Sequence, residues 1–382
     1  MKKIYWRPSK VPRRILIIIA ALAVVAITAV EVLKLKVKQP YYDQKIQAAR
    51  NMKYGMEVLK KYRLKRFGPV DPDADPANSG LIGVAESPIT SKWGHLPAKQ
   101  TTINPNWAAV MVEMLKKAGA EEGEVVAMGF SGSFPALNLA AYTAAEALNL
   151  KPVVISSVTA STWGANMPEF TWLDMERLLF QNGIISRRSV IASVGGLDDK
   201  AVHISKKGLR LIESAIARNK TNILEAKTFK ENINERIAIY QSFSEGKRIA
   251  AYINVGGGTV SVGTKVGKKL FNPGLNRKPL RANMKKVDSV MTRFAQEGVP
   301  LIHMVFIDRL AERYGLPTSP TMMQEVGECE IFVHYEYNYY LVVACLIGLL
   351  FISYLFLRKD IGYRIFGSSR AAQAPKHPEP MV

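Results

Sequence analysis

The chain has 382 residues, 48% of them hydrophobic and 22% charged, with a formal net charge of +20. This is too apolar for a disordered chain and long enough to bury one large core or two ordinary ones. With only two cysteines, any folded part must be stabilised by its core rather than by a disulfide framework.

Residues 1–14 carry Lys2, Lys3, Arg7, Lys10, Arg13 and Arg14 and no acid. An apolar run over 15–33 follows, and a second occupies 339–357, each close to the length that crosses a hydrocarbon layer as helix. Arg358, Lys359, Arg364 and Arg370 follow the second run. Basic flanks on both outer sides predict two transmembrane helices, cytoplasmic termini and an exterior central part, in which nucleic acid is excluded as a partner. The alternative for the first run is a cleaved signal peptide, but no small-x-small site closes it, and 31–38 reads as continued helix. Cys329 lies outside the second span and Cys345 within it, which separates them too far for a bridge.

Apolar residues Ile46, Ala49, Met52, Met56, Val58 and Leu59 recur at helical spacing, so 34–68 is expected to be a helical stalk. The proline- and glycine-rich stretch that follows reads as a loop leading into a body over 80–335. There, short apolar runs such as 125–129, 153–158, 190–194, 249–255 and 300–305 alternate with amphipathic stretches such as 105–118, 135–148, 203–217 and 229–243. That rhythm predicts an α/β fold, a Rossmann-like parallel sheet flanked by the two transmembrane helices. A basic cytoplasmic tail, 358–382, ends in a stretch expected to be disordered.

Two glycine turns close predicted strands. In the first, Gly129-Phe130-Ser131-Gly132-Ser133 runs into a helix with Pro135 in its first turn. It is readable as a turn capped by Ser133, as an anion-binding loop, or as a nucleophile elbow presenting Ser131, although the last position departs from G-x-S-x-G. A serine nucleophile needs a base, and His203 is the better candidate among His95, His203, His303 and His334, with Glu86, Asp198, Asp199 or Asp308 as orienters. His303, in an apolar run, reads as a core histidine. In the second turn, Gly256, Gly257, Gly258 and Thr259 let backbone approach an anion and lead into an expected hairpin, without a Walker or G-x-G-x-x-G register. Between 265 and 293 stand Lys265, Lys268, Lys269, Arg277, Lys278, Arg281, Lys285, Lys286 and Arg293 against Asp288 alone, which points to a polyanion or lipid headgroups. No metal-ligand spacing occurs and no cofactor is implied.

The basic N-terminal anchor, GFSGSFPALN, SSVTASTWGAN, NVGGGTVSVG and the C-terminal span together resemble the poly-γ-glutamate system protein family of the PgsW type. The resemblance implies an accessory membrane protein of poly-γ-glutamate (anionic capsule or polymer) biosynthesis and export in the bacterial cell envelope, with the ligase and membrane export subunits and the polymer as partners. It carries no catalytic residue. Three functions follow for comparison: a non-catalytic subunit that binds polymer or synthase; an exterior Ser-dependent hydrolase or transferase acting through Ser131; and a sensor of an anionic or phosphate ligand.

Overall fold

The computed structural model describes residues 13–263, 266–277 and 287–358. It divides into two units, one formed by both ends of the chain and one over Lys38–Val333. In the first, helices Arg13–Val32 and Tyr339–Arg358 are long and apolar enough to cross a membrane. Beyond Val32 the backbone turns extended, and strand Leu35–Lys38 pairs with Val333–Glu336 where the sequence predicts continued helix.

The second unit is built on a six-stranded, mostly parallel sheet. Its strands are β1 (Val125–Ser131), β2 (Lys151–Ser157), β3 (Ile191–Ser193), β4 (Ile249–Val255), β5 (Gly274–Asn276) and β6 (Leu301–Met304), in the order β5-β6-β4-β1-β2-β3. Only β5 runs antiparallel to its neighbour. Alternate side chains of a strand leave opposite faces, and β1 divides accordingly. Val126, Met128 and Phe130 enter one core, beneath helices Tyr42–Phe67, Trp107–Ala118 and Pro135–Ala147. Val125 and Ala127 enter the other, with Ile233, Tyr240, Met291 and Phe294 from helices Phe229–Phe243 and Val290–Gln296. Both faces being covered, the strands bury almost every residue, which is why they read as continuous apolar runs.

The helix expected as a stalk, Tyr42–Phe67, is part of this body. It buries Ala48, Ala49, Met52, Gly55, Met56 and Leu59, a stripe at intervals of three and four. Gly55 sets the approach, because a Cβ there would meet Leu139 and Leu179 at 3.1 Å. Outside that stripe the helix is polar, which gives it a solvated look in sequence, although the compact unit begins at Lys38 rather than near residue 80. Two further expectations change. The residues after Gly258 form the short helix Thr259–Val262, not a hairpin. The basic insertion contributes the edge strand β5.

Candidate functional site

In chain order β1, β2 and β3 are added to one side of the sheet, and β4 then pairs with the other side of β1. The loops leaving β1 and β4 therefore diverge to opposite faces and open a crevice at their carboxyl ends, the usual ligand position in open α/β sheets. A cavity of about 480 Å³ lies there, and both glycine turns line it.

Gly129, Ser131, Ser133, Gly257, Gly258, Thr259 and His203 all face this cavity. Gly132 and Gly256 support it from behind: a Cβ on Gly132 would lie 2.9 Å from the Val158 carbonyl, and one on Gly256, at φ 92°, 3.3 Å from Ser131 Cβ. Gly129 is required by its neighbour, since a Cβ would sit 2.3 Å from the Tyr252 hydroxyl. Ser133 does not cap the following helix; Phe134 holds that position without a side-chain bond. Instead the Ser133 hydroxyl accepts the Ser161 N–H at 2.9 Å, and the Ser133 N–H donates to Ser131 Oγ at 3.2 Å. Ser131 and His203 share the cavity wall, yet among the described residues no hydrogen bond joins them, so a Ser131–His203 couple is not assembled. His303 is buried against Asn254, whose amide lies 3.0 Å from Nδ1, and burial lowers its pKa to about 4. Of the basic run, Lys269 and Arg277 are exposed and Arg293 pairs with Asp288 at 2.6 Å. Lys265, Lys278, Arg281, Lys285, Lys286 and the Lys268 side chain lie outside the described residues.

The cavity also holds groups that no sequence motif announced. Arg236, from helix Phe229–Phe243, is buried and donates to Asp199 at 2.6 Å and to Ser193 Oγ at 2.8 Å. Asp199 also accepts Asn232 Nδ2 and the Gly195 N–H, at 3.0 and 2.8 Å. These bonds fix the loop 195–203, where Asp198, Asp199, Ala201 and His203 all take positive φ. Such a run of left-handed residues is costly and persists only where surrounding contacts hold it.

The opposite wall comes from helix Leu96–Thr102. Its Lys99 is 3% exposed. The amine donates to the Ser133 carbonyl and to Ser161 Oγ, the latter at 2.9 Å, and lies 3.6 Å over the Phe134 ring. Among the described residues no carboxylate pairs with it. Burial first, then repulsion from Lys92, lowers its pKa to about 7. Thr159, 2% exposed, also lines the cavity, and its Oγ1 has no hydrogen-bond partner among the described residues.

The described lining thus sets Lys92, Lys99 and Arg236 against one carboxylate, Asp199, which Arg236 already neutralises. With Lys99 lacking a carboxylate partner among the described residues, the crevice is electropositive, and it offers the hydroxyls of Ser131, Ser133, Thr159 and Ser161. This is a site for an anion or for a polar carbonyl compound carrying one. Lys99 stands in LPAKQTT and Arg236 in NINERIAIY, helical stretches with no local signature, so only tertiary packing reveals them. Ser161 lies within SSVTASTWGAN, a segment that stands out in the sequence without showing which of its hydroxyls meets a lysine. No protein-family model, curated protein or solved structure matches this chain, so its site rests on its own geometry.

Proposed function

We propose that this chain is a membrane-anchored accessory component of poly-γ-glutamate synthesis and export whose crevice receives carboxylates of the polymer. The observation that carries the reading is Lys99, a buried amine that lines the crevice and among the described residues is held only by neutral oxygens. A buried ammonium without a counter-charge is unfavourable, and an arriving carboxylate supplies that counter-charge. In this reading the Rossmann-like winding of the sheet places the site, the two apolar helices anchor it, both termini lie in the cytoplasm and the body lies outside. The resemblance to the polymer's accessory proteins supplies the identity of the polyanion; the excess of positive charge is consistent with it.

The test is binding of a short γ-linked oligoglutamate to the full chain in detergent. We expect affinity to fall at least about tenfold in Lys99→Met, the loss of one charge-assisted contact, and to weaken with salt as screening shortens. A neutral oligomer of equal length should not bind. Equal affinity in wild type and Lys99→Met would remove the crevice as the polymer's site. Protease digestion of a tag at either terminus from outside intact cells would refute the orientation.

A further inference from the structure

We propose that Lys99 and Ser161 form a base–nucleophile pair for acyl transfer from an amide or ester. The two side chains come from elements 62 residues apart and meet in the cavity wall with Nζ 2.9 Å from Oγ, within reach for direct proton transfer. Both are 3% exposed, so neither geometry is averaged by solvent.

Each partner is held from behind. The Ser161 N–H is tied to Ser133 Oγ, and residues 160–161 pair in parallel with strand Thr90–Lys92, just ahead of the helix that bears Lys99. Lys99 is oriented by the Ser133 carbonyl and the Phe134 ring. With the amine neutral, one N–H serves the carbonyl, one faces the ring, and the lone pair accepts the Ser161 O–H. A lysine paired to a carboxylate has no such lone pair to offer at neutral pH; Lys99 has none of that pairing among the described residues.

The charged groups around it are Lys92 and His95 before its helix and, across the cavity, His203 and the closed Arg236–Asp199 pair. On helix Ile307–Arg313, which packs against the lysine's helix, Asp308 accepts from Thr101 Oγ1 at 3.0 Å and lies 4.0 Å from His95 Nδ1, and Arg309 lies over Phe306. Burial, and after it the nearness of Lys92, favours the free amine.

In the reaction Ser161 Oγ forms a bond to the acyl carbon while its proton passes to Lys99. The C–N or C–O bond then breaks, and Lys99 returns that proton to the departing amine or alcohol. Water, or an amine in a transfer, next attacks the Ser161 ester, giving its proton to Lys99, which passes it back to Ser161 as the ester bond breaks. The pair works through the free amine of Lys99 and the anion reading above through its protonated form, so a carboxylate bound at Lys99 holds the amine protonated and slows the transfer.

The experiment treats the full chain in detergent with a fluorophosphonate and maps the adduct by mass spectrometry. We expect one adduct, on Ser161, forming faster as pH rises through about 7, and at least about 100-fold slower in Lys99→Met, the usual range for loss of a general base. Because that variant also changes packing, Lys99→Cys alkylated with bromoethylamine, which rebuilds an amine of lower basicity, should restore labelling with its pH midpoint moved down. An adduct on Ser131 or Ser133, a flat pH profile, or unchanged labelling in Lys99→Met would overturn the proposal. A protein that labels at Ser161 but binds no oligoglutamate would overturn the anion reading and leave the pair standing.

Discussion

Among the described residues of this body two lysines are almost fully buried, and they are treated in opposite ways. Lys45, 1% exposed on helix Tyr42–Phe67, donates to Glu113 at 2.8 Å and to the Ile331 carbonyl at 2.9 Å. Lys99, 3% exposed, faces a cavity and among the described residues bonds only to a serine hydroxyl and a carbonyl. Burial lowers the pKa of both, but for Lys45 the Glu113 carboxylate opposes it, and only Lys99 falls to about 7. The difference separates a charge built into a scaffold from one left uncompensated at a place where a ligand arrives. Unpaired buried charge lowers stability, so its retention in a crevice is itself an argument for use.

The contrast is broken most directly by pH. The folded-state pKa of Lys99 lies near 7, below its ordinary value of 10.5. Between those values the unfolded chain binds a proton that the folded chain does not, so stability rises with pH across that window. The total is on the order of 4–5 kcal/mol, at about 1.4 kcal/mol for each tenfold change in proton affinity. Lys99→Met should lose this slope and be at least as stable as wild type at pH 7. Denaturant titrations of both proteins from pH 6 to 10 measure it, the difference cancelling the other groups that titrate there. Parallel curves would show that Lys99 is not held as described.

The second prediction converts Lys45 into something resembling Lys99. Glu113→Gln preserves shape and a hydrogen-bond acceptor but removes the counter-charge from Lys45. A loss of about 3 kcal/mol is expected, the low end for breaking a buried pair because Glu113 is 18% exposed. Lys117 also bonds Glu113, at 2.5 Å, but it is exposed and should contribute little. A change under about 1 kcal/mol would show that the pair is not what holds this helix to the body.

How far these features can be read from sequence follows from their range. The strands are legible because a strand covered on both faces is a short apolar run, and the two glycine turns mark the ends of β1 and β4. Their meeting in one crevice depends on β4 returning to the free side of β1, a pairing between residues more than a hundred positions apart that no local pattern encodes. The short helix after Gly258 is misread as a strand because Thr259-Val260-Ser261-Val262 alternates apolar and polar as a strand would. Lys99, Thr159 and Ser161 are chemically ordinary in sequence; burial together in the crevice wall is what distinguishes them, and burial is a tertiary property.

The smallest effect is predicted at Thr159, which extends the comparison from charge to a neutral hydroxyl. Its Oγ1 is buried and unpartnered in the cavity wall, while its N–H donates to the Val194 carbonyl at 3.1 Å. Gly195, at φ 83°, makes room for it, since a Cβ there would lie 2.3 Å from Oγ1. A buried hydroxyl without a partner costs about 1–3 kcal/mol relative to one that has one, so Thr159→Val, which keeps the branched shape, removes a liability along with a polar contact. Stability should stay within about 1 kcal/mol of wild type or rise, whereas affinity for oligoglutamate should fall by about threefold to tenfold, the net worth of one neutral hydrogen bond. Thermal melts and binding isotherms on the same preparation separate the two. Destabilisation without loss of affinity would mean that the hydroxyl serves the fold and that the ligand does not reach this wall of the crevice.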